Sequence, residues 1–479
     1  MGFKIKIFLP VLFIFGVFGL ANASHAGTIN AASCSLTDIS SAISSAFPGD
    51  TVQVPAGTGS CVWNGTLTVT KGVKLIGPGA NNLTITNAYD CTGSEKMITY
   101  TPDNPAANNP FRISGFTFDG GGKCPILLLD VSNSNDPQIN IRIDHNVFQN
   151  TKPNDTTLGV SITNGGAWGV IDNNTLSGYI PVRNDNGGGK AWWDNWNGIN
   201  YGSSENLYFE DSIINITGIV TDCQESERYA FRYNTISMTD SAYPMFDLHG
   251  NSTWAYSCFG GEIYGNNVVS TVYQKLNQQR GGKMIVFDNN CTDCNGAFYA
   301  QVRTEQYGVQ VTANPCPDGS GNYCAKDGAY EQVSDSYYWN NLMAYTVAYH
   351  QGTTDVQNTY GGSGGTVPPP ALDTPLGGRD FFDTTTSPGI TCGSPGNRPA
   401  TCSTGQGFWA TNQSPSDLHG LVGKSPLTPI SGTLYKCTTP NVWTAYFTPY
   451  TYPHPLRTSG DLADGDTVAP APPSGLVVQ

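Results

Sequence analysis

Residues 141–150 read IRIDHNVFQN. From Ile143 the pattern is apolar, free, free, Asn, free, apolar. It returns as IDNNTL (171–176), FRYNTI (231–236), IYGNNV (263–268), VFDNNC (286–291) and, starting one place in, WNNLM (339–343). FEDSII (209–214) fits with Ser in place of Asn. The Asn column therefore holds positions 146, 174, 212, 234, 266, 289 and 341, at spacings of 28, 38, 22, 32, 23 and 52 residues. The shortest spacings are near one coil of a solenoid, and the longer ones need inserted loops or a skipped coil.

Alternating apolar residues make a short strand with one buried face. Asn tolerates left-handed backbone geometry, and its amide bonds the backbone at a bend. Asn stacked on Asn in successive coils forms an amide ladder. Helical periodicity is nearly absent; only ISSAISS (39–45) predicts a short helix. The pattern predicts an all-β chain, a parallel β-helix with one strand per coil in each sheet and capped ends. A β-sandwich or propeller is the rival, but irregular insertion around a persistent Asn column favours the solenoid.

Lys4 and Lys6 precede the apolar run FLPVLFIFGVFGLA and the small residues ANASHA, which predicts a secretory signal peptide over 1–26, cut after Ala23 or Ala26. No later stretch is long and apolar enough to span a bilayer, so stable membrane insertion is not expected. The formal charge is −14, and removal of Lys4 and Lys6 takes it to −16. An acidic chain repels phosphate backbones, which excludes nucleic acid as a natural partner and favours a metal cation. The 13 Cys suit an exported protein that keeps disulfides. Local spacing suggests Cys34–Cys61, Cys91–Cys124, Cys223–Cys258, Cys291–Cys294, Cys316–Cys324 and Cys392–Cys402, leaving Cys437 over.

The chain divides into the signal peptide, a β-helix over 27–360, a loop-rich segment over 361–457 that packs on or caps the helix, and a Pro-rich extended tail over 458–479. PGDTVQVPAGTGSCVW (48–63) followed by GVKLIGPGANNLTI (72–85) resembles the opening of bacterial secreted right-handed parallel β-helix proteins of the pectate-lyase-like superfamily. FRYNTI, DLHG, EIYGNN, YYWNN, GRDFF and TPYTYPHPL, in that order, look like a recurring exported subgroup of them. The resemblance covers roughly residues 30–457 and implies a right-handed helix.

The second position of the aligned repeats should point outward. It reads Ser114, Asp144, Asp172, Glu210, Arg232, Tyr264, Phe287. Neighbouring coils lie about 4.8 Å apart, so three successive carboxylates would repel one another. A hard cation such as Ca²⁺ would relieve that, with Asp144, Asp172 and Glu210 as ligands and Arg232 one rung further on. Pectate lyases place acidic Ca²⁺ ligands and a basic residue on such a face, and IDH (143–145) resembles the motif in which their Asp binds the ion. The chain lacks an RxPxxR-like motif, the paired Asp and GHG signatures of polygalacturonase-type hydrolases, and a clear Lys/Arg pair of the alginate-lyase type. The bland alternative is that the acids are solvated surface groups.

A second candidate joins MFDLHGN (245–251), GGEIYGNN (260–267) and QQRGGK (278–283). Abstraction of the proton α to a uronate carboxylate needs a base and a positive charge to hold the enolate-like product. His249 supplies a base near neutral pH, Arg280 or Lys283 the charge, and Asp247, Glu262 and Tyr264 substrate contacts. Each residue alone is more often a turn or surface group. A third is GGGKAWWDNWNG (187–198), where Trp192, Trp193 and Trp196 offer flat faces to sugar rings or cover the solenoid's flank. Two function classes follow. One is a secreted carbohydrate-active enzyme, a Ca²⁺-assisted lyase of acidic polysaccharide; the other is a noncatalytic glycan-binding, adhesin or matrix scaffold protein. Fold alone does not separate them.

Overall fold

Short alternating runs bury one face, and their backbone groups must find partners in another coil. The computed structural model describes residues 26–57, 61–93, 95–131, 138–154, 156–162, 167–186, 201–223, 228–239, 243–249, 258–270, 274–291, 298–302, 304–306, 333–343, 346–347, 358–360, 375–414 and 428–458. Successive coils supply strands in turn to three long sheets, the architecture of a parallel β-helix. The hand expected of it is right, the hand that parallel crossovers adopt.

The first sheet has twelve strands among the described residues, from Thr28–Asn30 to Phe381–Phe382, and carries the repeat pattern. The second holds the strands that follow each Asn, such as Val147–Gln149, Thr175–Gly178 and Ile213–Ile216. The third includes Ile180–Asn186, Thr221–Cys223, Phe246–Leu248, Gln274–Gln279 and Phe298–Val302. All pairings within the three are parallel except Leu342–Met343 with Thr346–Val347, which is antiparallel and ends the second sheet. Ile113, Ile143, Ile171, Phe209, Phe231, Ile263 and Val286 form one inward row of the first sheet, fully buried.

The Asn column sits at the corner between the first and second sheets. The Asn146 amide donates to Asn174 Oδ1 (3.2 Å), and the same contact joins Asn234 to Asn266 (3.0 Å), Asn266 to Asn289 (2.9 Å) and Asn289 to Asn341 (2.7 Å). Ser212 fills its rung: its hydroxyl accepts from Asn174 N, and its own N–H donates to Asn234 Oδ1. The left-handed backbone lies one residue earlier than the sequence suggests. His145, Asn173, Asp211, Tyr233, Gly265, Asp288 and Asn340 take φ between 50° and 66°. The preceding residue makes the bend, and the Asn amide closes it onto backbone carbonyls and onto the next coil.

A helix spans Leu36–Ser45, starting three residues earlier than expected, because Ser35 accepts from Asp38 N and caps it. At the other end, Ile390–Gly393, Gly407–Ala410, Thr433–Thr439 and Val442–Phe447 build a small separate sheet. Its Trp409, Leu434 and Phe447 pack on Tyr264, Phe287 and Trp339, the outer face of the first sheet. Among the described residues no helix is long and apolar enough to cross a membrane.

Disulfides join Cys34–Cys61, Cys91–Cys124 and Cys223–Cys258, as local spacing suggests. Cys402 bonds Cys437, not Cys392, which stays a free thiol. The reason is the antiparallel pairing of Gly407–Ala410 with Thr433–Thr439, which draws residues 402 and 437 together. Cys291 is oxidised, while Cys294, Cys316 and Cys324 lie outside the described residues, as do Trp192, Trp193 and Trp196.

The ladder sets an expectation. Asn234 donates to Phe209 O, Arg232 O and Asn266 Oδ1 and accepts from Ser212 N. Asn234→Ala strands several buried groups and should cost about 3 kcal/mol. Asn234→Ser, which imitates the native Ser212 rung, should cost clearly less. Chemical-denaturation midpoints of both variants check this.

Candidate functional site

The strand register sets Ser114, Asp144, Asp172, Glu210, Arg232, Tyr264 and Phe287 side by side, one per coil. This row faces away from the solenoid core but not into water. Asp144, Asp172, Glu210 and Arg232 are all 0% exposed. Arg112 holds Asp144 with two bonds of 2.7 and 2.5 Å, and Arg142 holds Asp172 with two of 3.0 and 2.9 Å. Arg232 donates to Glu210 at 2.7 Å. Arg457, from the turn Pro455–Thr458, reaches Asp172 (3.2 Å), Glu210 (3.0 Å) and Asp211 (2.5 Å). Where the sequence reading expected a Ca²⁺ ion, guanidinium groups stand. They supply the positive charge, and their paired donors match the carboxylates.

The C-terminal segment closes over this row as a clasp. Arg232 also donates to Tyr450 O and Thr451 O, and His454 N donates to Glu210. Tyr233, bulky yet in the left-handed region, accepts from Ile430 N and packs on Tyr452. Burial opposes the charge of Asp144, but bonds from Arg112 and His145 and the charge of Arg142 outweigh it and hold the carboxyl below its usual range. Burial likewise opposes Glu210, and Arg232 and Arg457 bring it down to about 2. His454 is depressed to about 4 by burial and, against the pull of Glu210, by the charges of Arg232, Arg457 and Arg142.

The third sheet has a different outer face. Its register places Arg183, Asp222, Asp247, Gln278 and Gln301 in one row. His249 follows Leu248 and Arg280 follows Gln279, so both project from the outward row next along. His249 Nε2 lies 2.8 Å from Asp222 Oδ1 and 3.7 Å from Asp247 Oδ2. Arg280 Nη2 lies 2.5 Å from Asp247 Oδ1 and 3.0 Å from His249 Nε2. Gln278 donates to Asp247 at 3.3 Å. The Asp222–His249 contact is favourable only with a proton between the two atoms. The His249 and Asp247 side chains keep 21% and 15% exposure, in contrast to the sealed row of the first sheet.

Asp222, Asp247 and His249 form a possible metal-binding triad, with one ligand atom of each within 4.8 Å of the others. Ca²⁺ takes six to eight oxygen ligands, whereas this set offers two carboxylates and an imidazole, with Arg280 already against two of the three. These residues do not fit a resident Ca²⁺.

Of the sequence-derived candidates, Asp247, His249 and Arg280 meet. Arg232 and Tyr264 belong to the clasp on the first sheet, where the Arg232 guanidinium donates to the Tyr264 hydroxyl. Glu262 is buried on the same sheet and accepts from Gly202 N and Asn206; burial raises its carboxyl. Lys283 pairs with Asp335, which Lys436 also holds. Asp222 and Gln278 escaped sequence reading. Both sit on third-sheet strands, which carry no repeated Asn column to align them, and only the match of TDC (221–223) to FDL (246–248) and NQQ (277–279) would have shown it.

The clasp yields two expectations. Arg457→Ala leaves three buried carboxylates short of a partner and should cost about 3–5 kcal/mol, seen as a lower unfolding midpoint and faster proteolysis near residue 450. Between about pH 6.5 and 4 the unfolded chain binds a proton at His454 that the folded chain refuses. The contribution of His454 to stability should therefore be lost on acidification through that window. His454→Asn, which keeps an acceptor for Leu456 N, should flatten the slope.

Comparison with known proteins is sparse. No protein-family description matches the chain, and no curated protein matches it. Among solved structures, an alginate lyase from Paenibacillus sp. str. FPU-7 is similar, at 14% identity, with 57% of this chain and 98% of that chain covered and a TM-score of 0.29.

Proposed function

We propose that the protein is a secreted carbohydrate-active enzyme that cleaves an acidic polysaccharide by β-elimination on the outer face of the third sheet. The observation that carries this reading is the convergence of Asp222, Asp247, His249 and Arg280 in one cluster, in which His249 and Asp247 keep exposure and Asp222 and Arg280 are buried beneath them. Elimination needs a base for the proton α to the uronate carboxylate and a positive charge for the enolate-like product. His249 is the base. Arg280, one rung along, binds the sugar carboxylate with its planar fork. Asp222 steadies the positive charge that His249 gains, and Asp247 with Gln278 aims Arg280. In this reading Arg280 does what a Ca²⁺ ion would do in a Ca²⁺-assisted lyase, and no step passes through a metal.

A second reading, a noncatalytic glycan-binding or scaffold protein, is favoured by one observation: the four groups already satisfy one another's charges.

The test is an assay of the purified protein on pectate, alginate and glycosaminoglycans, following ultraviolet absorbance of unsaturated uronates and reducing ends. Absorbance should rise and survive chelation of Ca²⁺. His249→Ala should lower kcat by about 10²-fold or more, and Arg280→Ala should raise KM as well. Reducing ends without absorbance would mean hydrolysis. Silence on every substrate would select the binding reading, and loss on chelation would restore Ca²⁺.

A further inference from the structure

The corner that leads into the third sheet carries a groove of about 260 Å³ lined by Asn150, Thr151, Lys152, Ser177, Tyr179 and Thr217, among others. Its walls are fixed by close packing. Asn150 O accepts from Gly122 N at 2.7 Å, and a Cβ on Gly120 would lie 2.7 Å from Asn150 O and 3.0 Å from Thr151 Cα. A Cβ on Gly218 would lie 2.8 Å from the Tyr179 ring, so the absence of a side chain at 218 gives that ring its seat. Tyr243, 42% exposed, meets Tyr179 edge to face at 6.0 Å between ring centres. The result is a braced aromatic platform beside hydroxyls and amides. Lys152 donates a hydrogen bond to Cys91 O at 3.2 Å, and an ammonium has three N–H donors.

The topology ties this corner to the polar cluster. Tyr179 immediately precedes Ile180–Asn186, whose Arg183 is the register partner of Asp222. Gly218 lies four residues before Asp222, and Tyr243 four before Asp247. Four extended residues span on the order of 13 Å, so a short oligosaccharide lying along the strands touches both places.

We propose that this groove is a binding subsite for one uronate-type ring of the chain that reaches the cluster. The Tyr179 ring takes the apolar face of the sugar, the amides and hydroxyls take its hydroxyls, and Lys152 faces its carboxylate. The inference rests on the reading of the third-sheet face as the polysaccharide face.

The test uses the full protein and size-graded oligouronates prepared from alginate and from polygalacturonate. Binding is measured by calorimetry, and cleavage by ultraviolet absorbance. Tyr179→Ala should weaken the longer oligomers about tenfold and leave the shortest unchanged, with Tyr179→Phe near wild type. Tyr243→Ala, at an exposed position, should weaken them in the same direction and serves if Tyr179→Ala does not fold. Wild-type binding or cleavage with no effect of either alanine overturns the subsite and leaves the functional reading standing. Equal loss in Tyr179→Phe and Tyr179→Ala overturns the stacking assignment. A wild type that neither binds nor cleaves any oligouronate overturns the functional reading, and the subsite with it.

Discussion

The fold depends on a column of buried side-chain amides. Each coil must start its turn in register with the last, although the number of residues between rungs ranges from 22 to 52. The column does this with side chains. An Asn amide has two donors and an acceptor, so one residue satisfies its own coil's carbonyls and still reaches the next rung. Loops of any length can then be inserted elsewhere, because the corner is fixed independently of them.

That column explains why the fold was legible in the sequence. Its Asn residues are spaced irregularly but sit in a constant local frame, and both flanking apolar residues are inward. Even the outer row of the first sheet could be aligned residue by residue from the same frame. What could not be read was the partner of that row. Arg112 and Arg142 lie within the repeats, but Arg457 sits more than 240 residues from the acids it meets. The stacking of the three acids followed from the frame, and the positive charge beside them is covalently part of the chain. The left-handed residue was placed one position late because Asn is the type that tolerates that backbone best, yet the chain uses the column Asn for its amide and bends at the residue before it, which is His, Asp, Tyr or Gly as well as Asn.

The candidate site was half legible for a related reason. His249, Asp247 and Arg280 were drawn together from chemistry and proximity in sequence. Glu262, Tyr264 and Lys283 were drawn in with them because they are as near in sequence, yet they begin or form the first sheet, around the corner. In a solenoid, closeness along the chain within one coil means distance in space, and closeness in space comes from the equivalent point of the next coil. Asp222, a coil earlier than Asp247, is the nearer neighbour of His249.

The clasp changes what kind of object the solenoid is. An open stack of coils holds together by nearest-neighbour contacts and can fray from either end. Here the last described helical turn is bolted to coils in the middle of the stack. Fraying of the terminal coils therefore cannot proceed independently of residues 172 and 210, and the array is drawn toward a single cooperative unit. The same arrangement orders events in time. While the chain is still being made, the central coils carry acids without their full set of counter-charges, and only arrival of the segment that holds Arg457 neutralises them. A chain cut short before Arg457 would stack its coils and still be marked as unfinished by an uncovered, charged flank.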